Sequence, residues 1–125
     1  MPNDSGRSPL PVGSPAPAIT ATALDGTVVR VDADGTRLLF VTSQCKECRV
    51  AWERMVAPGE AVTLIVTPGP ETDSRRRVGE LGRSSGITPE RILMASDVWH
   101  AFGIQKAPWL VEIRGGTVSQ SAEFG

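Results

Sequence analysis

A chain of 125 residues, 40% of them hydrophobic, has the size of one globular domain with a single core. Its 13 basic and 14 acidic side chains leave a formal charge of −1, so there is no basic excess to draw a nucleic-acid backbone or an anionic lipid surface. With 13 glycines and 10 prolines the chain stays below the roughly 25–30% Gly plus Pro of low-complexity sequences, and no apolar run approaches the ~20 residues of a membrane span.

Residues Met1 to Pro17 carry five prolines among Ser, Gly and Asn, without apolar periodicity. They read as a mobile lead-in or tether and lack the charged-then-apolar layout of a signal peptide, so the domain is set at 18–125. Ile19 to Leu24, an Asp25-Gly26 turn and Val28 to Val31 predict a β-hairpin, and Asp34-Gly35 supplies the next turn. Within Arg37 to Thr42 the run Leu38-Leu39-Phe40-Val41 predicts a strand buried on both faces. Cys45 to Met55 has helical spacing, with Cys48, Ala51, Trp52 and Met55 on one stripe and Lys46, Glu47, Arg49, Glu53 and Arg54 mostly off it, and Pro58-Gly59 ends it. Val62 to Thr67 predicts a second buried strand, and Pro68-Gly69-Pro70 breaks the chain. Glu71 to Ser85 predicts a polar surface helix anchored by Val78 and Leu81, and Ile92 to Ala95 a short strand. Asp97 reads as the N-cap of a helix over Val98 to Phe102 that Gly103 stops. Trp109 to Arg114, Gly115-Gly116 and Thr117 to Ser121 close the chain as a hairpin.

The only two cysteines stand together as Cys45-Lys46-Glu47-Cys48. A bridge across two intervening residues closes too small a loop to constrain the unfolded chain much, so stability is not its purpose. At the end of a buried strand and the start of a helix, the Cys45 sulfur meets unsatisfied backbone N–H groups and the positive end of the dipole, which favours thiolate. Lys46 and Arg49 add positive charge nearby, and Glu47 offsets part of it. Spacing of i and i+3 puts both sulfurs on one helix face, within the roughly 4.4–6.8 Å Cα separation of a disulfide. The chemistry this permits is thiol–disulfide exchange, with Cys45 attacking and Cys48 resolving.

The competing reading is half of a zinc site, but no second cysteine pair exists and His100 is the single histidine, so a closed site would need a carboxylate ligand, unusual for structural zinc. No metal or cofactor is expected. His100 reads as a surface or half-buried helix residue, and Arg75-Arg76-Arg77 as a solvated face. No glycine-rich phosphate loop or paired-carboxylate constellation stands out.

Four segments carry a family likeness: Val12-Gly13-Ser14-Pro15-Ala16-Pro17 followed by Leu24-Asp25-Gly26; Leu38 through Cys48; Val98-Trp99-His100-Ala101-Phe102-Gly103-Ile104; and Ala107-Pro108-Trp109-Leu110-Val111-Glu112-Ile113 with Gly115-Gly116. With them the chain resembles the thioredoxin-like superfamily, and within it the TlpA-like thiol–disulfide oxidoreductases, from about Val12 onward. Leu38 to Cys48 also looks like the membrane-anchored MauD-type accessory proteins of methylamine utilisation. The resemblance implies a thioredoxin-like α/β fold, a central mixed β-sheet flanked by helices, with an N-terminal hairpin and, here, no C-terminal helix. It implies Cys45 and Cys48 as the catalytic pair and a cis bond before Pro108. Ala107 would then face the cysteines and pair its backbone with a bound substrate strand. Trp109 would cover the disulfide or dock an apolar substrate, a half-buried strand tryptophan being an equally open reading. Trp52 and Trp99 lean to the core.

Two positions depart from the family: Gln44 replaces the aromatic residue common before the first cysteine, and Leu39 stands where thioredoxins carry a buried acid. No residue at Leu39 can then shuttle the resolving cysteine's proton. Two alternatives to exchange stay open. Thr42-Ser43-Gln44-Cys45 matches the Thr-X-X-Cys part of a peroxiredoxin signature, though Leu38 occupies its proline position; and a redox-inactive thioredoxin-fold module would bind a partner through the Ala107-Pro108-Trp109 loop. The expected partners are a protein thiol or disulfide substrate and a redox partner, with the protein a monomer. The proline-rich lead-in resembles a tether to an anchor outside this chain, which favours an extracytoplasmic site over a cytoplasmic one.

Overall fold

The computed structural model describes residues 9–32, 34–44, 48, 50 and 63–123. Among these, seven strands form one sheet: β1 (Ile19–Ala23), β2 (Val28–Val31), β3 (Arg37–Phe40), β4 (Thr63–Thr67), β5 (Ile92–Met94), β6 (Trp109–Arg114) and β7 (Thr117–Glu123). Their spatial order is β2-β1-β5-β4-β3-β6-β7. β3, β4 and β5 run parallel, and the remaining neighbours are antiparallel. The described helices are α1 (Arg75–Ser84) and α2 (Ser96–Ala101), and the backbone at Cys48 and Val50 is also helical. The rest of the helix expected over Cys45 to Met55, with Trp52 and the Pro58-Gly59 stop, lies outside the described residues.

β3 explains the core. Leu38, Leu39, Phe40 and Val41 all have zero exposure, because strands flank β3 on both sides and successive side chains point to opposite, covered faces. Leu38 and Phe40 join Val66, Leu93, Val111, the α2 residue Val98 and Phe102, which caps α2, on one face. Leu39 and Val41 join Cys48, Ile65, Ile92, Met94 and the α1 residue Val78 on the other. Phe40 meets Trp99 edge to face at 5.6 Å between centroids, and the Trp99 indole N–H donates to the Val66 carbonyl at 3.2 Å, so this tryptophan is half-buried against the core with its polar atom satisfied.

The helix starts differ from the sequence pattern. α1 begins at Arg75 rather than Glu71, because the Thr72 and Asp73 amides both donate to the Gly69 carbonyl at 2.9 Å and form a turn. Ser74 then caps the helix by accepting from the Arg77 amide. α2 begins at Ser96, with Ala95 in the cap position and Asp97 inside the first turn, so Asp97 is not the N-cap. The Ser96 hydroxyl is used instead to hold the loop at Gly69 and Glu71. A short 3₁₀ turn, Pro89–Arg91, precedes β5.

Where composition predicts a mobile lead-in, residues 9–17 are hydrogen-bonded to the end of α2 and to the β6–β7 hairpin. The Leu10 amide donates to Phe102, Gly13 to Val118 and Ala16 to Gly116, at 3.0, 2.7 and 2.9 Å, while Leu10 and Ala16 pack on the core. Pro11, Pro15 and Pro17 have no N–H to leave unsatisfied, so a proline-rich segment can lie along an edge with its other residues donating. No described helix is long and apolar enough to cross a membrane.

Candidate active site

Parallel strands β3 and β4 end side by side, with Phe40 registered against Val66, so the turns that follow them, residues 41–44 and 68–74, meet at one edge of the sheet. β6 lies antiparallel to β3 with Trp109 opposite Phe40, which brings residues 105–108 to the same edge. Crevices at the carboxyl ends of parallel strands are the usual place for a site in α/β sheets.

Cys48 has zero exposure, and Ala107 and Leu110 pack against its apolar cluster. The Ala107–Pro108 peptide bond is cis, with Pro108 buried and Ala107 half-buried. Cys48 and Ala107 thus belong to the same apolar cluster, while Cys45 lies outside the described residues. Trp109 is placed apart from them: its ring packs with the Phe40 cluster on the opposite sheet face, and its indole N–H donates to the Ser121 hydroxyl at 2.8 Å. Beside the loop, the Lys106 ammonium meets the Glu123 carboxylate at 3.0 Å, both more than half exposed, a pair worth little in water.

Two carboxylates at this edge are missed by the sequence pattern. Asp73 is buried, 4% exposed. Its Oδ1 accepts the Ser43 hydroxyl at 2.5 Å and the Ser74 amide at 2.9 Å, and its Oδ2 accepts the Ser43 amide at 3.0 Å. Ser43 is two residues ahead of Cys45. Glu71 is exposed and accepts the Ser96 hydroxyl, which holds its carboxyl below the usual carboxylate range, with a backbone hydrogen bond adding to the effect. The available signal for Asp73 was the Asp-Ser pair before Arg75, a helix-start pattern that the longer helix prediction absorbs. His100 and the three arginines of the first α1 turn are exposed, and no described cluster of His, Cys, Asp and Glu could hold a metal.

A mixed sheet with a parallel centre, a helical cysteine segment after β3 and a cis-proline before β6 define a thioredoxin-like α/β fold. Solved structures agree. The thioredoxin domain of a thiol-disulfide oxidoreductase from Bacteroides vulgatus superposes with TM-score 0.69 at 18% identity, over 93% of this chain and 91% of that one. A secreted Mycobacterium tuberculosis disulfide oxidoreductase gives 0.69 at 16% identity, over 86% and 84%. A peroxiredoxin-like protein from Aquifex aeolicus gives 0.70 at 13% identity, over 93% and 77%. No protein-family model matches the chain. Among curated sequences, a glycerol-3-phosphate dehydrogenase (NAD(P)+) of a Parafrankia strain is 36% identical over 66 residues, spanning 52% of this chain but only 20% of that protein. This sequence contains no Gly-X-Gly, so it lacks the Gly-X-Gly-X-X-Gly fingerprint of dinucleotide-binding folds.

Proposed function

We propose that the protein is a TlpA-like thiol–disulfide oxidoreductase that exchanges disulfides with protein substrates through Cys45 and Cys48. The observation that supports this reading is that Cys48 is wholly buried in the cluster against which Ala107, the residue before the cis-bonded Pro108, also packs. A thiol so placed is closed to bulky substrates, whereas helical i, i+3 spacing would put the Cys45 sulfur within disulfide reach.

In the proposed cycle the Cys45 thiolate attacks one sulfur of a substrate disulfide, whose S–S bond breaks and whose other sulfur leaves as a thiolate and takes up a proton. Cys48 then gives up its proton and attacks the Cys45 sulfur. The mixed disulfide breaks, the substrate departs as a dithiol, and the internal Cys45–Cys48 bond holds the two-electron oxidation until an external dithiol reduces it. With Leu39 in place of an acid, the resolving step is the slow one. In this reading an extended substrate strand docks beside the Ala107-Pro108 loop, and Trp109 anchors β6, the strand that follows it.

The test is reduction of a disulfide-bonded protein with dithiothreitol as donor. Cys45→Ser abolishes turnover and Cys48→Ala accumulates a mixed disulfide; turnover that survives Cys45→Ser refutes the reading. Peroxide consumption with a recycling dithiol would transfer it to the peroxidase class, and equal partner capture by the double serine variant to a binding module.

A further inference from the structure

Among the described residues Asp73 is the charged side chain buried in the fold, 4% exposed, and the exchange cycle does not use it. Taking a carboxylate out of water is costly unless donors surround it. Here three donors do so, and two of them, the amide at 3.0 Å and the hydroxyl at 2.5 Å, belong to Ser43, 30 residues earlier in the chain. The third is the amide of Ser74, the residue that caps α1. One carboxylate thus ties the start of α1 to the turn that leaves β3. With three donors filling most of its roughly four acceptor sites, it acts as a clamp.

The clamp grips backbone and side chain of a single residue. Holding the amide fixes the Ser43 peptide plane, and holding the hydroxyl fixes its χ1, so the chain leaves β3 in one direction. Two residues later comes Cys45. We propose that Asp73 is a positioning residue for the thiol pair: through Ser43 it sets the path from β3 into the helical segment, and so raises the effective concentration of one thiol toward the other. This rests on the reading of Cys45 and Cys48 as the working dithiol.

The experiment measures the equilibrium between the internal disulfide and the dithiol in glutathione buffers, on the full chain, with folding of every variant checked by circular dichroism and denaturant titration. Asp73→Ala lowers the closing constant about tenfold, which for this two-electron couple is about 30 mV. Ser43→Ala, which loses only the hydroxyl bond, lowers it about threefold, and Ser43→Thr, which keeps a hydroxyl, leaves it at the wild-type value. A purely structural role would reduce stability and leave the constant of the folded variants unchanged; that result overturns the proposal. Should Asp73→Ala not fold, Ser43→Ala decides in the same two directions. A wild-type chain that never closes reversibly removes the dithiol reading and this role with it, whereas a wild type that closes, alongside variants that close equally well, removes only the positioning role.

Discussion

In a Cys45→Ser variant, Cys48 is the remaining thiol, and its reaction with iodoacetamide reports how deeply the cluster encloses it. Cys48 has zero exposure and sits among Leu39, Val41, Ile65, Val78, Ile92 and Met94. The reagent reaches it only when this part of the fold opens. Opening a core position costs a large share of the roughly 5–15 kcal/mol of a domain's stability. Taking a low value of about 4 kcal/mol, at about 1.4 kcal/mol per decade, gives alkylation about a thousandfold slower than for the same thiol in denaturant. Acid-quenched time points read by mass spectrometry at one pH, with and without guanidinium, give the ratio directly. A native rate within tenfold of the denatured rate would show that Cys48 is open to solvent reagents and would remove the reason for its meeting only the Cys45 sulfur of a mixed disulfide.

Other outcomes follow from the packing. Ser74→Ala removes the cap on the Arg77 amide and lowers stability by about 1 kcal/mol in a denaturant titration. Phe40→Ala empties the centre of the larger cluster, including its edge contact with Trp99, and costs about 3–5 kcal/mol by the same measurement. Because the Ser96 hydroxyl holds the folded-state Glu71 carboxyl below its ordinary value, the unfolded chain binds more protons in the window between the two values. The stabilisation is therefore complete above the ordinary carboxylate range and lost as pH falls through the folded value. Ser96→Ala raises the Glu71 midpoint in an NMR titration and flattens this part of the acid limb, and an unmoved midpoint contradicts the hydrogen-bond assignment.

The strands were legible where one local rule decided them. Four consecutive apolar residues, Leu38 to Val41, are tolerated only where both faces of a strand are covered, and they are. The glycines of the Asp25-Gly26 and Gly115-Gly116 turns adopt the positive φ those turns need, +93° at Gly26 and +60° and +76° at Gly115 and Gly116. The helical stripe placed Cys48 inward, where it lies. The rest depended on partners far away in the chain. Asp73 and Glu71 look like solvated helix residues until Ser43 and Ser96 reach them from 30 and 25 residues away. The proline-rich stretch looks unstructured until Phe102 and Val118 accept its amides. The sheet face that Trp109 occupies follows from its register opposite Phe40, which nothing within β6 itself specifies.

The central claim, that Cys45 and Cys48 form a working dithiol, is tested most directly by a redox titration of the full chain in glutathione or dithiothreitol buffers, with both thiols trapped by alkylation and counted by mass spectrometry. The account predicts one reversible two-electron transition, with a midpoint between the reductant end of the thioredoxin scale at about −270 mV and the oxidant end at about −120 mV. A pair that stays reduced, or oxidises without returning, at every poise contradicts it.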